Sequence, residues 1–174
     1  MTSEPRTTTG ARSPRPGRAS STACEAVADP AAKSAAFDGL SRIREAGGID
    51  RSPFGPAQTV RVLRGASEEF SREGRAATRV VPPPALASAH RDLVRGLSGQ
   101  GSNYATLADV LGGRVQRGVE LRTLYKRFVA ARDAIGRWLT QVERAARERD
   151  VALPGCFRGF RDGFESNPGA TVGG

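Results

Sequence analysis

The sequence predicts an all-α protein: an up-down helical bundle of about four helices, the last two long and antiparallel, with disordered termini. Three observations carry that prediction. Apolar residues recur every three or four positions through four segments, the spacing that lines one face of an α-helix. Glycine pairs or prolines interrupt the pattern between segments, at Gly47-Gly48, Pro82-Pro83-Pro84 and Gly112-Gly113. No stretch alternates apolar and polar residues with the period of a strand. Composition agrees: 38% hydrophobic and 6% aromatic residues suit a modest helical core better than a large β core.

Residues 1–23 are rich in Ser, Thr, Pro, Arg and Gly, with no large apolar residue after Met1. Such a segment buries too little surface to offset its ordering entropy, so it reads as a disordered basic arm. It lacks the apolar stretch of a secretory signal. Ser21-Thr22-Ala23-Cys24 lacks the leucine of a lipoprotein cleavage box. The first helix is expected to open at Asp29-Pro30, where Asp caps and Pro fits the first helical position. Ala32, Ala36, Leu40 and Ile43 then recur with Phe37 beside them, and Gly47-Gly48 ends the helix.

A second helix is expected over residues 57–78, with Val60, Leu63, Ser67, Phe70, Gly74 and Ala77 inward. Glu68 and Arg72 stand four apart in the order that favours pairing. Gly65 and Gly74 each weaken a helix by roughly 1 kcal/mol relative to Ala, so this helix is expected to be short or bent. The third begins after the prolines, its stripe running from Leu86 and His90 through Leu93, Leu97, Tyr104 and Leu107 to Leu111. Gly96, Gly99 and Gly101 predict a kink in its middle. The fourth carries an unbroken stripe, Leu121, Leu124, Tyr125, Phe128, Ala131, Ile135, Trp138, Leu139 and Val142. About 30 residues give it a length near 45 Å. Tyr104, Tyr125 and Trp138 read as core. The bundle is placed at residues 24–157 and a flexible tail at 158–174, although Phe157, Phe160 and Phe164 have a helical spacing that would fold their rings over the open end of the bundle.

The net charge is +9, of which the arm holds four Arg and one Glu. That balance permits nucleic-acid or anionic-surface contact, but reads first as solvated helix faces in an Arg-rich chain. No run of 18 apolar residues is present, so no transmembrane helix is expected.

Cys24 and Cys156 bracket the foldable part of the chain. In an up-down-up-down arrangement the start of the first helix and the end of the last share one end, which makes the pair a candidate disulfide. Closing a loop of about 132 residues would stabilise by roughly 5 kcal/mol in the chain-entropy model. The alternative is two unrelated thiols in a reducing cytoplasm.

The residues Cys24, Pro82-Pro83-Pro84, Leu86, His90, Leu93-Val94 and Leu153-Pro154-Gly155-Cys156 form a pattern over about residues 24–157. It resembles that of small uncharacterised helical proteins exported by actinobacteria. The resemblance implies a helical bundle exported to or beyond the cell envelope, and no defined chemistry. Those proteins usually begin with a signal or anchor, which residues 1–23 do not provide as written.

Catalytic and cofactor constellations are not found. One His and two distant Cys fit no zinc pattern, and His90 is expected to cap a neighbouring carbonyl near the start of the third helix. Residues 96–101 lack the Lys-Ser/Thr of a phosphate loop and the preceding strand of a dinucleotide site. No Glu-x-x-His pair supports a di-iron centre. The expectation is therefore a monomeric, non-enzymatic binding or structural protein with no cofactor or metal, its partner a protein or an anionic surface, perched at the cell envelope if exported. The alternative is a cytoplasmic nucleic-acid-binding accessory protein. A small-ligand carrier with a cavity at the mid-helix glycines is a third reading.

Overall fold

The structure, a computed structural model, describes residues 35–113 and 121–165. They form α1 (Ala35–Glu45), α2 (Pro56–Thr78), α3 (Ala87–Leu111), α4 (Leu121–Glu148) and α5 (Gly155–Glu165), with short 3-10 turns at Ile49–Arg51 and Pro84–Leu86. The protein is all-α, with no strand among the described residues. The basic arm, the expected helix start at Asp29-Pro30, Cys24 and residues 166–174 lie outside the described residues.

Local chemistry sets the helix ends. Pro56 opens α2 after Gly55, where its missing N–H leaves no bond unmade. Two helices end in the same left-handed motif. The Gly48 amide donates to the Ile43 carbonyl at 3.0 Å and the Gly47 amide to that of Arg44 at 2.8 Å, with Gly47 at φ 94°. At the end of α4, the Val151 amide donates to Ala146 at 3.0 Å and that of Asp150 to Arg147 at 3.2 Å. Asp150 holds the left-handed position there, at φ 50°, as a short polar side chain can.

Successive helices run antiparallel. Ala36 and Gly39 of α1 face Gly65 and Val62 of α2, and Gly74 and Ser71 of α2 face Ser98 and Gly101 of α3. Gly96 of α3 faces Ile135 of α4. The result is a layer in which α2 and α4 pack chiefly on α3, with α1 laid on α2. The buried side chains of α3, among them Leu93, Leu97, Tyr104, Leu107 and Ala108, serve both flanks.

The glycines expected to bend α2 and kink α3 instead bring helices together, and both helices run unbroken over 23 and 25 residues. A Cβ on Gly96 would stand 2.6 Å from Ile135 Cγ1 and 2.7 Å from the Ala131 carbonyl oxygen. One on Gly101 would stand 2.5 Å from Ser71 Oγ and 3.1 Å from the Ser67 carbonyl oxygen. The lost helix propensity is offset by close contact between backbones, and the same contacts leave no ligand cavity at these positions.

The tail boundary drawn at residue 157 is corrected: helix α5 continues to Glu165. Phe157 is buried against Ala77, Leu93, Leu97, Ile135 and Leu139, and Phe160 and Phe164 pack against the same cluster. Spacing of three and four residues puts the three rings on one helical face, so helix and burial support each other. Trp138 holds this face at ring-centroid distances of 5.5 Å to Phe157 and 5.7 Å to Phe160. Leu111, Leu121 and Tyr125, read as inward, are exposed, because α4 meets α3 only from Leu124 inward and nothing described covers its other side.

Each neighbouring pair from α2 onward is also joined by an ion pair: Arg64–Asp109 at 2.6 Å, Arg137–Asp92 at 3.3 Å and Arg161–Glu143 at 3.3 Å. All are partly exposed, worth at most about 1 kcal/mol apiece. On α2, Arg72 pairs with Glu69 rather than with the expected Glu68.

Replacing Gly96 by Ala forces a Cβ into the α4 backbone and should lower unfolding stability by about 1–3 kcal/mol in denaturant titrations. Gly159 on α5 faces open space, so Gly159→Ala should raise stability by about 0.5–1 kcal/mol through helix propensity alone. Equal effects of the two changes would contradict the close approach.

Candidate functional site

Because α2 and α4 rest mainly on α3, a furrow runs between them over the face of α3. It is an open groove of about 1400 Å³. Its floor is a row of aromatic rings with one member from each of four helices. Phe37 of α1 meets Phe70 of α2 edge-on at 5.1 Å, Phe70 stacks on Tyr104 of α3 at 5.6 Å, and Tyr104 meets Phe128 of α4 edge-on at 4.9 Å. Such pairs contribute roughly 0.5–1.5 kcal/mol each beyond their burial. Burial raises the Tyr104 hydroxyl to about 12, so it stays neutral at physiological pH.

The groove has two ends of different character. Toward the start of α4 it is bounded by Phe37, Asp38 and Ser41 of α1 and by Tyr125 and Val129 of α4. Here Leu121, Tyr125 and Val129 form a stripe at four-residue intervals, 50%, 43% and 39% exposed. The surrounding turns, residues 121–132, carry Arg122, Lys126, Arg127 and Arg132 and no acidic residue. Cations in the opening turns of a helix oppose its macrodipole, so helix stability does not account for them. Toward the end of α4 the groove is bounded by Phe70 and Glu73 of α2, Gly136 and Arg144 of α4, and Phe160 and Phe164 of α5. Arg132 lies over the Phe164 ring at 5.3 Å.

Glu73 is the perturbed acid of this site. Desolvation, reinforced by the Glu69 carboxylate and opposed by Arg72, lifts its carboxyl to about 7. Sequence reasoning passed it over, although two carboxylates four residues apart flanking Phe70 were a usable signal.

His90 does what the sequence suggests. Its Nε2–H donates to the Ala77 carbonyl at 2.9 Å, adding a second donor to a C-terminal carbonyl of α2 that the Val80 amide also reaches at 3.1 Å. Cys156, at the start of α5, is half-buried against the cluster of Ala77, Leu93 and Phe157; its prospective partner Cys24 is outside the described residues. Among the described residues, no three His, Cys, Asp or Glu side chains converge as a metal site, and no helix is long and apolar enough to cross a membrane.

No protein-family model matches this chain, and no curated protein or solved structure matches it. The groove and its residues are thus the whole basis for a functional reading.

The raised Glu73 pKa fixes a pH dependence. Its folded-state value lies above the ordinary 4.5, so the folded protein holds the proton more tightly. Stability should fall as pH rises from about 4.5 to about 7 and stay lowered above that. Glu73→Gln should therefore stabilise by about 1–2 kcal/mol at pH 8 and by almost nothing at pH 4, read from thermal melts. A gain independent of pH would contradict the assignment.

Proposed function

We propose that this is a non-enzymatic binding protein that holds an acidic amphipathic helix of a partner protein along the opening turns of α4. The observation that carries the reading is the exposed Leu121–Tyr125–Val129 stripe, whose own helical turns carry four cations and no anion, with Asp38 of α1 on the facing wall. A helix laid in such a groove supplies apolar anchors at matching spacing, and its acidic flank meets the cations. The aromatic row beneath makes the floor rigid, which lowers the entropy cost of binding.

The cell envelope is the compartment we propose, resting on a Cys24–Cys156 disulfide, since structural disulfides persist in oxidising surroundings. The net charge of +9 favours a second reading, a nucleic-acid-binding accessory protein, whose affinity would come mainly from phosphate contacts and fall steeply with salt.

A fluorescein-labelled Leu/Glu amphipathic helical peptide is the direct probe, with anisotropy as readout. Binding should be weakened at least tenfold by Tyr125→Glu, about 1.4 kcal/mol. Unchanged binding in Tyr125→Glu would overturn the site. Tighter binding to a single-stranded oligonucleotide or to phosphatidylserine vesicles than to the peptide would overturn the choice of partner.

A further inference from the structure

The other end of the furrow, between α2 and α5, holds a carboxylate that the partner-helix reading leaves unused. We propose that this end, where Glu73 and Phe70 of α2 share the groove with Phe160 and Phe164 of α5, binds a small organic ammonium ion with an aromatic or alkyl body. The ammonium pairs with the Glu73 carboxylate and the body lies over the phenylalanine rings. The site is independent of the partner-helix reading, which belongs to the opening turns of α4.

Geometry supplies the first argument. Glu73 and Phe70 are three residues apart on α2 and so share a helical face. Glu73 is half-buried, and among the described residues it makes no hydrogen bond or ion pair; its neighbour Arg72 is taken by Glu69. A carboxylate drawn out of water without a partner costs stability, which its raised proton affinity reflects. A cation supplied from outside removes that cost, and aromatic faces attract it further. The groove, open and about 1400 Å³, has room for a small organic molecule.

The surrounding charges supply the second. On α2 the Glu69 carboxylate acts on Glu73 more strongly than the Arg72 guanidinium does. Helix α3 carries no charge between Arg95 and Asp109. Gly74 meets Ser98 and Leu97, Gly96 meets Ile135 and Gly99 meets Ala131, so Glu73 is level with residues 131–135 of α4. There Arg132 lies over the Phe164 ring, and Asp133 stands beside it. Arg137 is paired with Asp92. Arg144, Glu148 and Arg149 begin nine residues past Ile135, about 13 Å along the axis. On α1, Ala36 meets Gly65, eight residues from Glu73 and about 12 Å along α2, and Asp38 and Arg44 lie farther on. Helix α5 turns Phe160 and Phe164 to the groove, while its Arg161 is tied to Glu143 and Asp162. At this level Glu69, Glu73 and Asp133 thus stand against Arg72 and Arg132, and a carboxylate ligand would meet Glu69 and Glu73 together.

Three dansyl dyes with different tails test the site on the full-length protein by fluorescence titration: dansylcadaverine with its ammonium, the N-acetyl derivative of the same dye, and dansylaminohexanoic acid with a carboxylate. At pH 8 the ammonium dye should bind at least about tenfold more tightly than either of the others. Its affinity should fall roughly thirtyfold by pH 5.5, because Glu73 takes up a proton through about 7 and the ionised, binding-competent fraction shrinks. The amine stays protonated over this range, so the loss reports on Glu73. Glu73→Gln, expected to fold more stably than the parent, should lose the ammonium preference and the pH dependence together. Tyr125→Glu should leave dye affinity within about twofold, which separates this site from that of the partner helix. Equal binding of the ammonium and acetyl dyes, or tighter binding of the carboxylate dye, would overturn the proposal. So would a preference that survives Glu73→Gln, a larger loss in Tyr125→Glu, or no binding of the ammonium dye up to millimolar concentration.

Discussion

The close approach of α3 to the helices on both sides is the constraint on which the rest depends. Side chains are absent where backbones meet: Gly96 against Ala131 and Ile135 on one flank, Gly101 against Ser67 and Ser71 on the other. A single helix that packs tightly on two sides must bury two faces, and α3 buries Leu93, Leu97, Gln100, Asn103, Tyr104 and Leu107 around much of its circumference. Gln100 shows how a polar group survives there: its Nε2 donates to the Phe128 carbonyl of α4 at 3.4 Å, and no buried side-chain polar atom of the described residues is left without a partner.

With α2 and α4 both committed to α3, neither is free to close against the other. The furrow over α3 follows from that geometry and not from any specialised loop. What fills it is divided. The aromatic row joins α1 to α4 across its floor, and the phenylalanines of α5 cover one end through Trp138. Of the cationic turns of α4, Phe128 belongs to the aromatic row and Arg132 lies over Phe164, while Leu121, Tyr125 and Val129 stay exposed beside the other cations and carry the functional reading.

The helical segments were legible in the sequence because their apolar spacing and their Gly or Pro stops agree. The end of α2 at Thr78 and the end of α3 at Leu111 fall where the pattern predicts. The roles of the glycines were not legible, since propensity counts a glycine only as a cost; its benefit at Gly96 depends on Ile135, which lies on another helix. Tyr125 misled for a related reason: a stripe shows that a face is apolar without showing whether a neighbour covers all of it. The helix at Gly155–Glu165 was half-legible, its Phe spacing visible but outweighed by the Gly-rich composition that follows. Glu73 went unnoticed because its perturbation comes from desolvation by the fold.

Amide hydrogen exchange along the native chain tests the central claim most directly. If α3 is the doubly packed centre, amides from Leu93 to Tyr104 should exchange only through global unfolding, with a free energy equal to that from denaturant titration, and those of α1 should exchange at least tenfold faster. Exchange of the α3 amides as fast as those of α1, well below the global unfolding free energy, would contradict the arrangement and the furrow derived from it.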